Sequence, residues 1–432
     1  MSASSKKFRK VLNDLKRRPE DAAQDLGVSK KVINDILKKD TFSDLSLIKK
    51  AVKVWPVNYS DFFYTEDDTK NDYKIFKLSQ ANKSERIMYR GGKPYYSYKD
   101  TVMSKISPFR PEWIQELVVV NNNKPNNTQV KFNNGHFLHQ FTYFIGPVNF
   151  YYIENGKKKV AVMNTGDSMY ISPYIPHTFT TRKNKEKVLG SILALTYTDK
   201  IDGEIINELS AIGYNLVKDY TINTTNKYKS FFENLDYHLR AASISMAHLN
   251  KKINFKKNEK KLPSLEKISK IADFLQINIR DLLPPMKSKA VKIQKYKNSR
   301  SWFYPKDNPK TYRFVELTGL PDLPLSKAYE LHVTHDKKHN DSLKIPCHQY
   351  IFNIGKGFCK LKILDKYNET LMPGDSVYLK PNLKHKFSNK CKLLILRIGG
   401  KVSGDVLYQM SMIDKKNIQR LVKDNLPWFN SK

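Results

Sequence analysis

Between residues 6 and 63 apolar positions recur at helical spacing, interrupted by short polar breaks. In Asp21-Ala-Ala-Gln-Asp-Leu-Gly27-Val-Ser29-Lys-Lys-Val-Ile-Asn-Asp-Ile-Leu37 the spacing predicts two helices around a tight turn. Gly27 can end the first in the left-handed conformation of a C-cap, and the Ser29 hydroxyl can cap the second, so the pair reads as helix-turn-helix-like. Further on, apolar and polar residues alternate or form short apolar runs, such as Lys159 to Met163, Ser168 to Ile171 and Lys392 to Ile398, between Gly, Pro and Asn turns. That pattern predicts many short strands. A fainter helical stretch returns over 229–285, where Ser264-Leu-Glu-Lys-Ile268 through Leu275 and Asp281-Leu-Leu283 echo Ser46-Leu47 through Asp61-Phe62-Phe63, and Pro284-Pro285 closes it.

The strand regions repeat one another. His139-Gln140-Phe-Thr-Tyr-Phe-Ile145-Gly146 has a counterpart 209 residues on, His348-Gln349-Tyr-Ile-Phe-Asn-Ile354-Gly355. Gly166-Asp167-Ser168 with His177 likewise matches Gly374-Asp375-Ser376 with His385, eleven positions from Gly to His in both. Two windows shared in one order imply two units made to one plan. Gly-Asp followed by a strand, a Pro-containing turn and His resembles the second motif of the cupin family, a small jelly-roll barrel. The expected fold is therefore α+β, a tandem repeat of an all-α helix-turn-helix-like unit plus a cupin domain. Its boundaries are read as 1–65 for the first helical unit, 66–220 for the first cupin with its arm, 221–290 for the second helical unit and 291–432 for the second cupin, with hinges near 64–85, 221–228 and 284–300.

Composition changes this picture in two places. The 432 residues carry 76 Lys and Arg against 42 Asp and Glu, a formal charge of +34, which attracts phosphate polymers, anionic surfaces or small dianions alike. Of those cations 63 are Lys and 13 Arg, spread along both halves, whereas a dedicated nucleic-acid surface clusters Arg. A DNA-binding regulator, with Ser29, Lys30, Lys31 and Asn34 on a recognition helix and the barrel holding an effector, is the competing class; nucleic acid is not the expected partner. Cys347, Cys359 and Cys391 are odd in number and form no C-x-x-C pair, against a disulfide framework or a cysteine zinc site. The N-terminus lacks an apolar signal segment, and no run approaches the ~20 apolar residues of a membrane span, so the expectation is a cytoplasmic protein without a membrane partner.

The first repeat offers His136, His139, Gln140 and His177 as metal ligands. Side chains alternate along a strand, so His136 and Gln140 share a face and His139 takes the other. Four strand residues span ~13 Å when extended, too far for one ion, so a shared metal requires a bend, with Gly135 as its pivot. No carboxylate completes the set, because position 171 is Ile and the first-motif position is Gln140. Two readings stand at this point: a two-His, one-amide iron site that prefers a chelating anion, or a degenerate cupin whose Gln140 merely hydrogen-bonds. The second repeat keeps Gln349 and His385 but has Ile345 where His136 stands, and metal binding is not expected there.

At Asn133-Asn134-Gly135-His136, Gln140 and Gly166-Asp-Ser-Met-Tyr-Ile-Ser-Pro-Tyr-Ile-Pro-His177 the chain resembles the hydroxyethylphosphonate dioxygenase and hydroxypropylphosphonate epoxidase family of non-heme iron cupins, over its whole length, tandem arrangement included. The dioxygenase and epoxidase pattern is two His and one Glu; the departure at Gln140 and Ile171 marks the methylphosphonate-forming branch. The resemblance implies Fe(II) held by His136, Gln140 and His177, and O2-dependent cleavage of the carbon–carbon bond of 2-hydroxyethylphosphonate. The products are methylphosphonate and CO2 or bicarbonate, with no 2-oxoglutarate. It also implies phosphonate contacts from Lys16, Arg90, Tyr98 and Asn133, with Lys16 reaching the site from its own or a neighbouring subunit of a homo-oligomer. The runner-up within the family is the dioxygenase outcome, hydroxymethylphosphonate and formate.

Overall fold

The computed structural model describes residues 3–107, 109–197, 201–255, 261–285, 289–305, 310–320, 326–334, 341–402 and 404–423. Cα proximity divides the chain into two units, Met1–Asn71 with Ser104–Pro108 and Lys401–Lys432, and Asp72–Met103 with Phe109–Gly400.

In the first unit, helices Ser5–Asp14, Pro19–Leu26, Lys30–Lys38 and Leu45–Val54 close around Phe8, Leu26, Ile33, Trp55 and Phe62. Their ends fall where orphan amides find partners. Ser29 Oγ accepts from Val32 N at 3.4 Å, Asp44 Oδ1 accepts from Leu47 N at 3.1 Å, and Gly27 at φ 61° terminates the second helix.

The second unit is mixed α+β. A helical segment, Lys227–Ala241, Met246–Ile253 and Leu265–Leu275, buries Phe231, Leu235, Leu249 and Ile271. The rest is two sandwiches, each a seven-stranded sheet with a four-stranded sheet. In the first sandwich the large sheet runs Val291–Gln294, Ser168–Ile171, His139–Ile145, Ser191–Tyr197, Arg110–Glu116, Lys93–Asp100, Arg86–Arg90. The small one runs Lys157–Met163, Val148–Glu154, His177–Arg182, Val119–Val120. Polar and apolar residues do not alternate along His139–Ile145 because both faces are covered. Phe144 turns into the sandwich core with Phe150, Ile171, Phe179 and Ile192, while Phe141 and Tyr143 turn into a seam against Tyr350, Phe352, Tyr378 and Leu394 of the second sandwich.

The two repeats exchange strands. Tyr73–Phe76, in the stretch expected to serve the first sandwich, pairs antiparallel with Ser376–Leu379 of the second. Val291–Gln294 pairs in the same way with Ser168–Ile171 of the first. The Gly-Asp-Ser motif is the socket for this exchange. Asp167 accepts from Tyr296 N at 2.9 Å and from Lys295 Nζ at 2.9 Å; Asp375 accepts from Leu78 N at 2.8 Å and Lys77 Nζ at 3.0 Å. Ser168 Oγ takes Thr318 N and Ser376 Oγ takes Val102 N, each at 2.9 Å. At Gly166 a Cβ would stand 2.7 Å from the Tyr296 ring, so the motif's glycine makes room for the incoming arm. Of the expected hinge at 284–300, residues 286–288 lie outside the described residues.

Glu330 locks the seam from the second sandwich. Its fully buried carboxylate accepts from Tyr143 Oη at 2.6 Å, Tyr296 Oη at 2.5 Å, His332 Nε2 at 2.7 Å and Lys392 Nζ at 2.9 Å. Burial alone would raise this carboxyl, but the four hydrogen bonds outweigh it and hold it at about 2. A depressed acid contributes stability that is fully present above its unfolded value near 4.5 and is lost as the pH falls toward about 2. Glu330→Gln should therefore lower the unfolding free energy at pH 7 by roughly 2–3 kcal/mol, the deficit shrinking through that window. Urea denaturation of both proteins at pH 7 and pH 3 checks this, and an equal deficit at both values contradicts it.

Candidate metal and anion site

Gly135 sits at φ 76°, and a Cβ there would come within 2.6 Å of the Tyr174 carbonyl carbon, so both the turn and the space demand glycine. Tyr174 N donates to the His136 carbonyl at 2.7 Å, and Asn133 N donates to the His177 carbonyl at 3.2 Å, tying 133–136 to the segment that leads into His177. The strand His139–Ile145 starts after a bend at 137–138. Through that bend His136 Nε2 comes to 3.1 Å from Gln140 Oε1, and the ring centroids of His136 and His177 to 5.1 Å.

The hydrogen bonds decide which atoms present lone pairs. His136 Nδ1 donates to the Leu138 carbonyl at 2.9 Å and His177 Nδ1 to the Ile175 carbonyl at 2.8 Å, the tautomer in which each Nε2 presents its lone pair. Gln140 Nε2 donates to Thr142 Oγ1 at 2.9 Å, which turns Oε1 toward His136. Two acceptors facing each other at 3.1 Å repel unless a cation or proton lies between them. Burial holds the His177 imidazole down at about 4, against the Ile175 carbonyl and with help from His136 and Arg90, so the ring is neutral at neutral pH. The donor set fits a divalent metal: two imidazole nitrogens and one amide oxygen, locked from behind. Among the described residues no group of three His, Cys, Asp or Glu side chains gathers to hold a metal, since the third donor here is an amide.

His139 faces the other way. Its ring stacks between Tyr170 and Tyr197, both centroids at 5.8 Å, and its Nδ1 pairs with the Tyr170 hydroxyl. His348 Nδ1 repeats this with Tyr378 Oη at 2.6 Å, so the histidine that opens each repeated window serves packing.

Arg90 and Asn133 join the histidine pair. Asn133 Oδ1 accepts from His177 N at 2.8 Å, and its Nδ2 lies 3.3 Å from His177 Nε2. The Arg90 guanidinium donates to Thr178 Oγ1 at 3.1 Å and the Lys131 carbonyl at 3.2 Å, over the rings of Tyr95 and Tyr96. Those acceptors are neutral. Glu116, fully buried with neither oxygen hydrogen-bonded, is pushed well above the usual carboxylate range by burial, against the charge of Arg90. Tyr98 stands at the flank, 5.9 Å from Tyr96 and under the Arg86 guanidinium, its phenol pushed up to about 12 by burial and by Glu116. Lys16 belongs to the first unit, exposed at φ 53° after helix Ser5–Asp14, with Nζ donating to the Asp14 carbonyl at 3.2 Å. Sequence reasoning missed Thr142, Thr178 and Glu116. Thr142 was within reach, because it lies two strand positions from Gln140 on the same face.

No family profile matches the chain. It is 44% identical to a methylphosphonate synthase from Nitrosopumilus maritimus, over 99% of this chain and 96% of that protein. Among solved structures it is similar to the hydroxyethylphosphonate dioxygenase of Streptomyces albus, which holds 2-hydroxyethylphosphonate and Fe(II). The TM-score is 0.91 at 30% identity, and 98% of each chain is covered. A PhpD structure containing cadmium shares the fold at TM-score 0.74 and 16% identity, covering 98% of this chain and 99% of that one.

Thr142→Val keeps the volume of a fully buried side chain while releasing the Gln140 amide. The expected result is a folded protein whose Fe(II) affinity falls about 10- to 100-fold, measured by anaerobic equilibrium titration. Unchanged affinity would show that the orientation of the amide is immaterial.

Proposed function

The chain belongs to the methylphosphonate synthase family, and we propose that it converts 2-hydroxyethylphosphonate and O2 into methylphosphonate and carbon dioxide at a mononuclear Fe(II) site in the first sandwich. One observation carries this reading: the lone pairs of His136 Nε2 and Gln140 Oε1, each locked from behind, face each other at 3.1 Å beside His177. Iron would be held by these two atoms and His177 Nε2, and when bound it supplies the activation of dioxygen.

The chain's own residues supply orientation, charge and dryness. Three neutral donors leave a +2 ion uncompensated, and Arg90 adds a further positive charge bonded to neutral oxygens, so the site selects an anion. The Arg90 guanidinium suits two phosphonate oxygens, Asn133 Nδ2 a third contact next to His177, and Tyr98 and Lys16 further ones by the family resemblance. Phe179, edge-on to His177 at 5.7 Å, and Phe150 stacked on it at 5.3 Å exclude water from beneath the ligands. The reaction balances without another reductant. Substrate plus O2 gives methylphosphonate, CO2 and water, the carbon–carbon bond breaking while the substrate passes four electrons to dioxygen.

The alternative outcome, hydroxymethylphosphonate and formate, is the weaker reading. The relative at 44% identity bears the synthase name, whereas the dioxygenase structure stands at 30%. The same proposal takes each sandwich as a cupin and each helical segment as a helix-turn-helix-like unit. The protein is read as cytoplasmic and homo-oligomeric; no helix among the described residues is long and apolar enough to cross a membrane.

Phosphorus NMR of the product, with carbon-labelled substrate to follow the lost carbon, tests the reaction, and hydroxymethylphosphonate with formate would overturn it. His136→Ala and His177→Ala should each abolish Fe(II) binding and turnover, while His139→Ala should retain iron; equal iron loss in all three would refute the ligand assignment. Arg90→Ala should raise KM about 10- to 100-fold, the loss of one or two charge-assisted hydrogen bonds, with iron content unchanged. Steady-state kinetics on the iron-loaded variant reads this directly.

A further inference from the structure

The second sandwich keeps part of the constellation and changes its charge. Gln349 and His385 occupy the places of Gln140 and His177, with Ile345 in place of His136 and Ile351 in place of Thr142. Arg397 stands opposite Gln349 in the ladder, where Thr196 stands opposite Gln140 in the first sandwich. The imidazole and threonine of the first site are gone, and a guanidinium has entered.

That guanidinium is poorly compensated. Arg397 Nε donates to Gln349 Oε1 at 3.3 Å, and its plane lies over the rings of Phe314 and Tyr329 at 5.4 and 5.1 Å. Its Nη2 is buried without a hydrogen-bond partner, and no carboxylate bonds it among the described residues. Two further orphans stand nearby: Nε2 of Gln349, the residue that Arg397 bonds, and Nε2 of His385, which pairs in the ladder with Leu343. His385 is 1% exposed and Gln349 wholly buried. His385 Nδ1 donates to the Leu383 carbonyl at 2.8 Å, so Nε2 is an acceptor in the neutral ring. Burial holds that ring down at about 4, against the Leu383 bond and with help from Arg397, which keeps it neutral at neutral pH. Native structures rarely leave three buried polar atoms unpaired without a ligand or water.

Arg397 also opens on a pocket of about 190 Å³ whose lining includes Trp302, Tyr304, Tyr329, Lys344 and Ile345. Its charged lining residues are two cations, Arg397 and Lys344, with no carboxylate among the described residues. The orphan count then specifies the ligand: two donors, Arg397 Nη2 and Gln349 Nε2, ask for two anionic oxygens, and one acceptor, His385 Nε2, asks for a hydroxyl. We infer that the second sandwich binds a small monoanionic oxyacid that still carries a hydroxyl, of the dihydrogen-phosphate or hydrogen-phosphonate class, held by Arg397, Gln349 and His385 and admitted past Lys344. The site needs no metal, because the guanidinium supplies the positive charge.

Equilibrium dialysis of the full-length chain against inorganic phosphate near pH 6.5, in an Arg90→Ala background that weakens the first site, tests this without any turnover, so it stands apart from the proposed reaction. One equivalent should bind per chain, with sulfate, which has no hydroxyl to offer, at least 10-fold weaker. Arg397→Met should weaken phosphate at least 30-fold. Lys344 is exposed, so Lys344→Glu tests the mouth of the pocket without touching the core and should weaken binding about 10-fold. No saturable phosphate binding, equal binding of sulfate, or affinity unchanged by Lys344→Glu would each overturn the inference.

Discussion

The buried carboxylates of Asp167 and Asp375 tie the two sandwiches of the second unit to each other. Each takes a backbone amide just past the strand of an arm that comes from the other repeat, and each is charge-paired with a lysine of that arm. Neither sandwich can then be complete alone, since each large sheet ends in a strand the other repeat supplies. The consequence reaches the candidate site in two steps. Val291 pairs with Ile171, and Ile171 pairs with Gln140, so the strand that carries the amide donor is braced by the lead-in of the second repeat. A second sandwich without a two-histidine set is retained on structural grounds whatever else it binds.

Some of this was legible in the chain and some was not, for physical reasons. The repeat, the turn at Gly27 and Ser29, the pivot at Gly135 and the opposite facing of His139 all follow from local rules: which residues tolerate a left-handed backbone, and how side chains alternate along a strand. The strand exchange leaves no such trace. Tyr73–Phe76 reads as a strand in isolation, but nothing in its own four residues says that its partner lies about 300 positions away, because pairing is decided by the socket at Asp375 and Ser376. The Gly-Asp-Ser motif was legible as a repeat and illegible as a socket. Glu116 gave no signal either, since a buried carboxyl and a surface carboxylate look alike in a sequence.

Both sandwiches are arranged around positive charge left without a contacting carboxylate. In the first, the proposed metal ligands are two imidazoles and an amide, Arg90 bonds neutral oxygens, and burial pushes the Glu116 carboxyl well above the usual range. In the second, Arg397 lies half-buried against two aromatic rings, its buried Nη2 without a hydrogen-bond partner. Desolvating a cation without a counter-charge is costly, and a fold keeps such a group when a ligand supplies the missing charge. On the proposals made for them, the two interiors differ in the cation they use and agree in asking for an anion. An amide at Gln140 belongs to the same logic: a carboxylate there would cancel one charge in advance, and the site would hold its anion less firmly. The substitution that removes the familiar metal-binding acid is thus consistent with a site whose charge is reserved for the substrate.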